Sequence, residues 1–269
     1  MLKKSFVLNS QISIAGRQKF IDEVFTLVEQ KVPSYICFAN VHMVMEAYND
    51  RAFQKVVNES DIVTPDGKPI SIFMNAFDGL NQERLCGMDL FPELLRQAEK
   101  EDKSVYFYGG TNDVLTQISQ KIQKELPSLR ISGSYSPPFR KLSQDEDDAI
   151  VVNIKNASPD LVFVSLGCPK QEKWMAEHKS RLGTCLLGVG QAFKTFIGLE
   201  RRLPSWMRNL SLEWIYRLYL EPRRLWKRYF STNTYFLWLT VGCIFRLLGT
   251  KVQSSFSGLR FAQGQQADE

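Results

Sequence analysis

The sequence predicts an α/β protein: a Rossmann-like parallel sheet with flanking helices, followed by a helical appendage rich in basic and aromatic residues. Three observations carry this. Five short runs are apolar on both faces, as strands inside a parallel sheet are. Amphipathic stretches of helical length alternate with them, as βαβ units require. The composition is globular, with 269 residues that are 44% hydrophobic and 23% charged, but it turns basic and tryptophan-rich beyond about residue 200. The expected organisation is a body over 1–199, an appendage over 200–249 and a frayed polar tail over 250–269.

The expected strands are Tyr35–Ala39, Ile62–Thr64, Val105–Tyr108, Leu161–Leu166 and Leu186–Val189. The expected helices are Arg17–Gln30, Val41–Asn58, Asp89–Glu101, Asp113–Glu125, Gln144–Asn156 and Pro169–Arg181. The overall charge of +5 is unevenly divided. Residues 201–269 hold 11 Lys/Arg against 4 Asp/Glu, so the body is close to neutral. Five cysteines (Cys37, Cys86, Cys168, Cys185, Cys243) form no CxxC pair and are odd in number, which fits a reducing compartment. The N-terminus has lysines but no sustained apolar run, so no signal peptide is expected. The longest apolar run, Tyr235–Phe245, would rise about 16 Å as a helix, roughly half a bilayer core. It suits an in-plane segment rather than a spanning one.

Ligands of open parallel sheets bind at the carboxyl ends of the strands, so the residues after each strand are the candidates. After Ile62–Thr64 comes Pro65-Asp66-Gly67. A carboxylate there is placed to take a proton from a bound hydroxyl, or it is a turn aspartate or helix cap. Asn40 follows the first strand and can cap the next helix. Gly109-Gly110 can offer backbone N–H groups to a phosphate, or form an ordinary tight turn. Gly188-Val189-Gly190 is half of a dinucleotide fingerprint, but Phe193 stands where the third glycine belongs, which argues against a nicotinamide site. Cys168 reads as a small packing residue. Gln171 and Glu172 fall in the first turn of a helix as caps, with Gln171 also able to face the crevice. His42 and His178 have no metal-ligand spacing, and the Asp145–Asp148 acidic run reads as a helix start rather than a metal motif.

In the tail, eight basic and two acidic residues lie within Arg201–Arg228. Leu, Ile, Tyr and Trp recur among them at helical spacing. This is the pattern of an interfacial membrane helix, with a core-packing helix pair as the bland alternative. No RNP-type motif supports nucleic acid.

Taken together, seven ordered blocks resemble the WecG/TagA/CpsF family, glycosyltransferase family 26. They are ANVHMVMEAYND (39–50), DIVTPDGKPI (61–70), ERLCGMDLFPELL (83–95), VYFYGG (105–110), PDLVFVSLGCPKQEKWM (159–175), LLGVGQAF (186–193) and a basic aromatic block over 201–230. The resemblance implies an inverting, cytosolic transferase that moves a sugar from a UDP-sugar to a polyprenyl-diphosphate-linked acceptor in bacterial surface-polysaccharide assembly. The sugar would be N-acetylmannosamine, N-acetylmannosaminuronic acid or a hexose. It implies peripheral attachment to the anionic inner face of the plasma membrane through the C-terminal segment. It also implies Asp66 as general base, Asn40, Arg84 and Gln171 as pocket residues, and Arg208, Arg217, Arg223 and Arg224 at the diphosphate.

The candidates for holding the nucleotide are Gly109, Gly110, Gly188, Gly190, Gln191 and Lys194. Lys194 departs from the family, which commonly has an acidic residue there. An inverting displacement needs a base on the acceptor hydroxyl and charge stabilisation on the departing UDP. With no metal motif in the sequence, arginines and helix N-termini are expected to supply the latter, without a cofactor. A non-catalytic nucleotide-binding scaffold and an NAD-dependent sugar-nucleotide oxidoreductase are the rival readings. A homo-oligomer is left open.

Overall fold

The computed structural model describes residues 2–200, Met207, Leu218, Tyr219, Pro222 and 232–245. The chain divides into two compact units, 1–216 and 217–269. The expected boundaries near 199 and 249 border segments outside the described residues.

The first unit opens with an antiparallel hairpin, β1 (Lys4–Val7) and β2 (Ser10–Ser13), and helix α1 (Arg17–Glu29). Then come β3 (Ser34–Ala39), α2 (Val41–Asn49), α3 (Arg51–Asn58), β4 (Ile62–Pro65), α4 (Lys68–Asp78) and α5 (Gly87–Lys100). The chain continues through β5 (Val105–Gly109), α6 (Asn112–Glu125), β6 (Ile131–Tyr135) and α7 (Gln144–Ala157). It closes with β7 (Leu161–Ser165), α8 (Lys170–Leu182), β8 (Cys185–Leu187) and α9 (Ala192–Phe196). Strands β3 to β8 form one six-stranded parallel sheet in the order β4-β3-β8-β7-β5-β6. The expected Rossmann-like body is therefore present.

Alternate strand residues divide the sheet's two faces. Ile36, Phe38, Phe107, Phe163 and Leu187 point into the main core with residues of α1, α5, α6 and α9. Phe91 centres that core, with its ring 4.9 Å from Phe163, 5.5 Å from Phe193 and 5.3 Å from Phe196. Each such buried ring contributes about 2 kcal/mol of transfer free energy. On the other face α8 packs against α3, α7 and β3. Crossovers that carry the chain towards β4 thus lie on one face and those towards β6 on the other, as right-handed connections dictate.

The structure corrects several expectations. Val41–Asn58 is two helices, because the Asp50 carboxylate accepts hydrogen bonds from the Ala52 (2.9 Å) and Phe53 (3.2 Å) amides and starts a new helix. The third expected strand extends to Gly109, and the last stops at Leu187, where Gly188 turns away. The hairpin, α4, β6 and α9 had not been expected. Strand β6 (ISGSY) lies at the sheet's edge and is only half-buried, so it lacks the apolar run that marks the inner strands.

In the second unit a helix covers 232–245. Phe236 is buried, whereas Leu237, Trp238, Val241, Ile244 and Phe245 are exposed. Tyr235 and Trp238 stack at 5.9 Å. No described helix is long and apolar enough to cross a membrane.

Candidate active site

Parallel register brings Asn40 and Asp66 together. Ala39 pairs with Pro65 at the carboxyl ends of β3 and β4, so the next residue on each strand leaves the sheet at the same corner. The Asp66 amide donates to the Ala39 carbonyl at 2.9 Å. The helix that follows is capped by Gly67 with no side-chain hydrogen bond, so Asp66 is not its N-cap. Gly67 has φ +129°, a conformation that needs glycine and turns the chain directly into α4. Asn40 does cap α2, with its Oδ1 accepting from the Met43 amide at 3.1 Å. That bond fixes the carboxamide and leaves its NH2 group as a donor without a partner among the described residues.

Arg84 reaches the same corner through the backbone. The Leu85 amide donates to the Pro65 carbonyl (3.0 Å), and Thr64 Oγ1 donates to the Leu85 carbonyl (3.1 Å). The Arg84 guanidinium pairs with Asp89 in the first turn of α5 at 3.0 Å, and both side chains are largely buried. One corner of the sheet therefore brings together the backbones of Asn40, Asp66 and Arg84.

Gln171 lies beside the neighbouring exits. It is 5% exposed, and its amide is tied on three sides. Its Oε1 accepts from the Gly167 amide (3.2 Å), and its Nε2 donates to the Gly188 carbonyl (2.8 Å) and to Glu172 Oε1 (2.7 Å). The chain between β7 and α8 contains a cis Cys168–Pro169 bond. Cys168 is partly buried there, and its thiol is pushed up mainly by burial.

These ties explain the glycines. A Cβ on Gly188 would come 2.6 Å from Met175 Cε and 3.1 Å from Gln171 Nε2, and one on Gly190 would come 3.4 Å from Gln171 Oε1. The half-fingerprint thus makes room for a glutamine, while Phe193 lies in the core. Gly109 and Gly110 have φ +108° and +74°, and a Cβ on Gly109 would run into the Ser165 backbone. The Gly110 amide donates to the Ser165 carbonyl (3.2 Å), so that N–H is already engaged. Gln191 precedes α9 and Lys194 is exposed on it.

The acidic run is structural. Glu146 and Ser143 form a capping box, and Arg140 pairs with Glu146. His178 and Arg181 reach Asp147, and Arg181 also pairs with Asp148. Among the described residues no group of His, Cys, Asp or Glu is placed to hold a metal ion. Arg208, Arg217, Arg223 and Arg224 lie outside the described residues.

Sequence reasoning passed over Glu172 except as a cap. It is fully buried, and its Oε2 has no hydrogen-bonding oxygen or nitrogen partner among the described residues. Burial pushes its carboxyl up to about 7, opposed by hydrogen bonds from Gln171, its own amide and Cys168. An acidic residue directly after a strand-exit glutamine was the available signal, but burial cannot be read from it.

The chain is similar to several known proteins. An N-acetylglucosaminyldiphosphoundecaprenol N-acetyl-beta-D-mannosaminyltransferase of Bacillus subtilis (strain 168) is 36% identical over 211 residues, 78% of this chain and 80% of the relative. Proteins of the same name from Bacillus spizizenii (31% over 211 residues, 78% and 80%) and Staphylococcus aureus strain NCTC 8325 (30% over 192 residues, 71% and 74%) are also similar. The family model described as glycosyl transferase WecG/TagA/CpsF family matches residues 6–251, so this chain belongs to the WecG/TagA/CpsF family of glycosyl transferases.

Proposed function

We propose that the protein transfers N-acetylmannosamine from its UDP derivative to N-acetylglucosamine carried on a polyprenyl diphosphate, with inversion at the anomeric carbon. The names of the relatives support the transferred sugar and the acceptor. The observation that carries the chemistry is the meeting of Asp66 with Asn40 and Arg84 at one strand corner.

Asp66 takes the proton of the acceptor hydroxyl. The hydroxyl oxygen forms the new bond to the anomeric carbon, and the bond to the β-phosphate oxygen breaks, leaving UDP with the electron pair. A single displacement of this kind inverts the centre. The Asn40 NH2 group donates to a sugar oxygen. The Arg84 guanidinium, braced by Asp89, brings positive charge to the diphosphate. The exits of β4 and β7 are three strand spacings apart, ~14 Å. A nucleoside-diphosphate sugar lying along the sheet edge covers that span, with its sugar at β3 and β4 and its nucleotide over Gly167, Gly188 and Gly190. Cations meet the leaving charge without a divalent metal, so a chelator leaves turnover unchanged.

The acceptor's lipid stays in the bilayer, which requires the protein to work at the membrane surface. The exposed apolar side of the 232–245 helix supports attachment at the interfacial layer, and the basic residues of 201–228 support anionic lipid on the inner face.

The test is a panel of UDP-sugars with a short-chain polyprenyl-diphosphate N-acetylglucosamine, read by mass spectrometry. Product with UDP-N-acetylmannosamine, together with stoichiometric UDP release, is the expected result. Product with a different donor alone overturns the sugar assignment.

A further inference from the structure

We infer that the buried carboxyl group of Glu172 is a positioning group for the donor site: it fixes which way the Gln171 carboxamide points and so holds the β7 and β8 exits at the spacing the nucleotide needs. This rests on the glycosyl-transfer reading above, which places the nucleotide over those exits.

The geometry is specific. A carboxamide is nearly symmetric in shape, so its orientation is set by its partners. Gly167 offers an N–H and Gly188 a carbonyl, which use the oxygen and one hydrogen of Gln171. Glu172 Oε1 takes the second hydrogen at 2.7 Å. Without that acceptor a buried N–H is left unsatisfied, and the amide gains a reason to tilt out of its slot. Gly188 and Gly190 stand where a Cβ would crowd the amide, so backbone and side chain are fitted to one another.

The second oxygen of Glu172 is also informative. Among the described residues it is buried with no oxygen or nitrogen partner, the Cys168 thiol bonds the carboxyl group, and no cation acts on it. The groups facing it are the Cys37 thiol of β3 and the Cys168 thiol before α8. Both thiols are pushed up by burial. Beyond them, Glu46 of α2 acts on Cys168, while Lys4 and Asp61 act on Cys37. Such surroundings favour the neutral acid. When the group ionises, it places an uncompensated negative charge beneath a diphosphate. Donor-site affinity then falls as the pH rises through neutrality.

The experiment is calorimetric titration of UDP into the full chain at about pH 6 and about pH 8, for wild type, Glu172→Gln and Glu172→Leu. Glutamine keeps an acceptor for Gln171 and cannot ionise. UDP's own titration is common to every variant. The expected result is that the dissociation constant of wild type rises at least about fivefold more between the two pH values than that of Glu172→Gln. Glu172→Leu binds UDP about tenfold more weakly at both, with its melting temperature recorded alongside. Should the leucine variant fail to fold, the comparison of glutamine with wild type decides alone. An identical pH course for Glu172→Gln and wild type overturns the inference, as does wild-type affinity in a folded Glu172→Leu. A wild-type chain that binds UDP at neither pH defeats the glycosyl-transfer reading itself.

Discussion

Gly67, not Asp66, occupies the cap position of α4, and the bond from the Asp66 amide to the Ala39 carbonyl holds the Asp66 backbone beside that of Asn40. Asp66→Asn keeps size and polarity but cannot accept the proton. Its turnover is expected to fall by about two orders of magnitude or more, with an unchanged melting temperature and unchanged UDP binding. Near-normal turnover would remove Asp66 from the role of base. One end of the Asn40 amide caps α2, and the proposed chemistry uses the other as a donor. Gly188→Ala tests the fit around Gln171. Its new methyl would overlap Met175 Cε, so a loss of about 1–2 kcal/mol in denaturant unfolding is expected, together with weaker UDP binding. Unaltered stability and binding would show that the slot has slack.

At the scale of elements, ends matter more than middles. The break between α2 and α3 comes from one capping aspartate, and Asp50→Ala is expected to lower the melting temperature by ~3 °C while leaving turnover intact. On the same face of the sheet, α7 and α8 are clasped by His178 and Arg181 against Asp147 and Asp148. The Asp145–Asp148 run was legible as a helix start because acidic residues suit that end of the dipole. Its ion pairs were not legible, since their partners come from the loop before it and from a helix about thirty residues on. The apolar runs of β3, β5, β7 and β8 were legible for a simple reason: strands covered on both faces must be apolar throughout. Strand β6 at the edge and the polar hairpin β1–β2 escape that rule, and both went unread.

For the whole molecule, Glu172 couples folding to pH. Its carboxyl lies near 7 when folded, above the ordinary carboxylate range, because burial disfavours the charge. The stability associated with the neutral form is complete below the unfolded value, and it is lost as the pH rises towards neutrality. Relative to wild type, Glu172→Gln should therefore gain stability at about pH 8 and gain little at about pH 4.5. A difference of up to ~3 kcal/mol is expected in urea unfolding. Equal gains at both pH values would show that ionisation is not the cause. The proposed membrane attachment belongs to this scale as well. The 232–245 helix exposes Leu237, Trp238 and Phe245 in one short stretch. Replacing Leu237 and Trp238 with aspartate should reduce sedimentation with anionic vesicles severalfold without altering UDP binding. Full retention would place the anchor elsewhere.

The sequence alone determined the βαβ alternation and the basic aromatic character of the C-terminal segment, because each follows from local periodicity or composition. Only the tertiary structure decided that Asn40, Asp66 and Arg84 share a corner, that the glycines at 188 and 190 make room for Gln171, and that an acid next to that glutamine is sealed from solvent. The physical reason is that register, close approach and burial depend on which distant segments become neighbours, and those contacts are settled by packing across the sheet rather than along the chain.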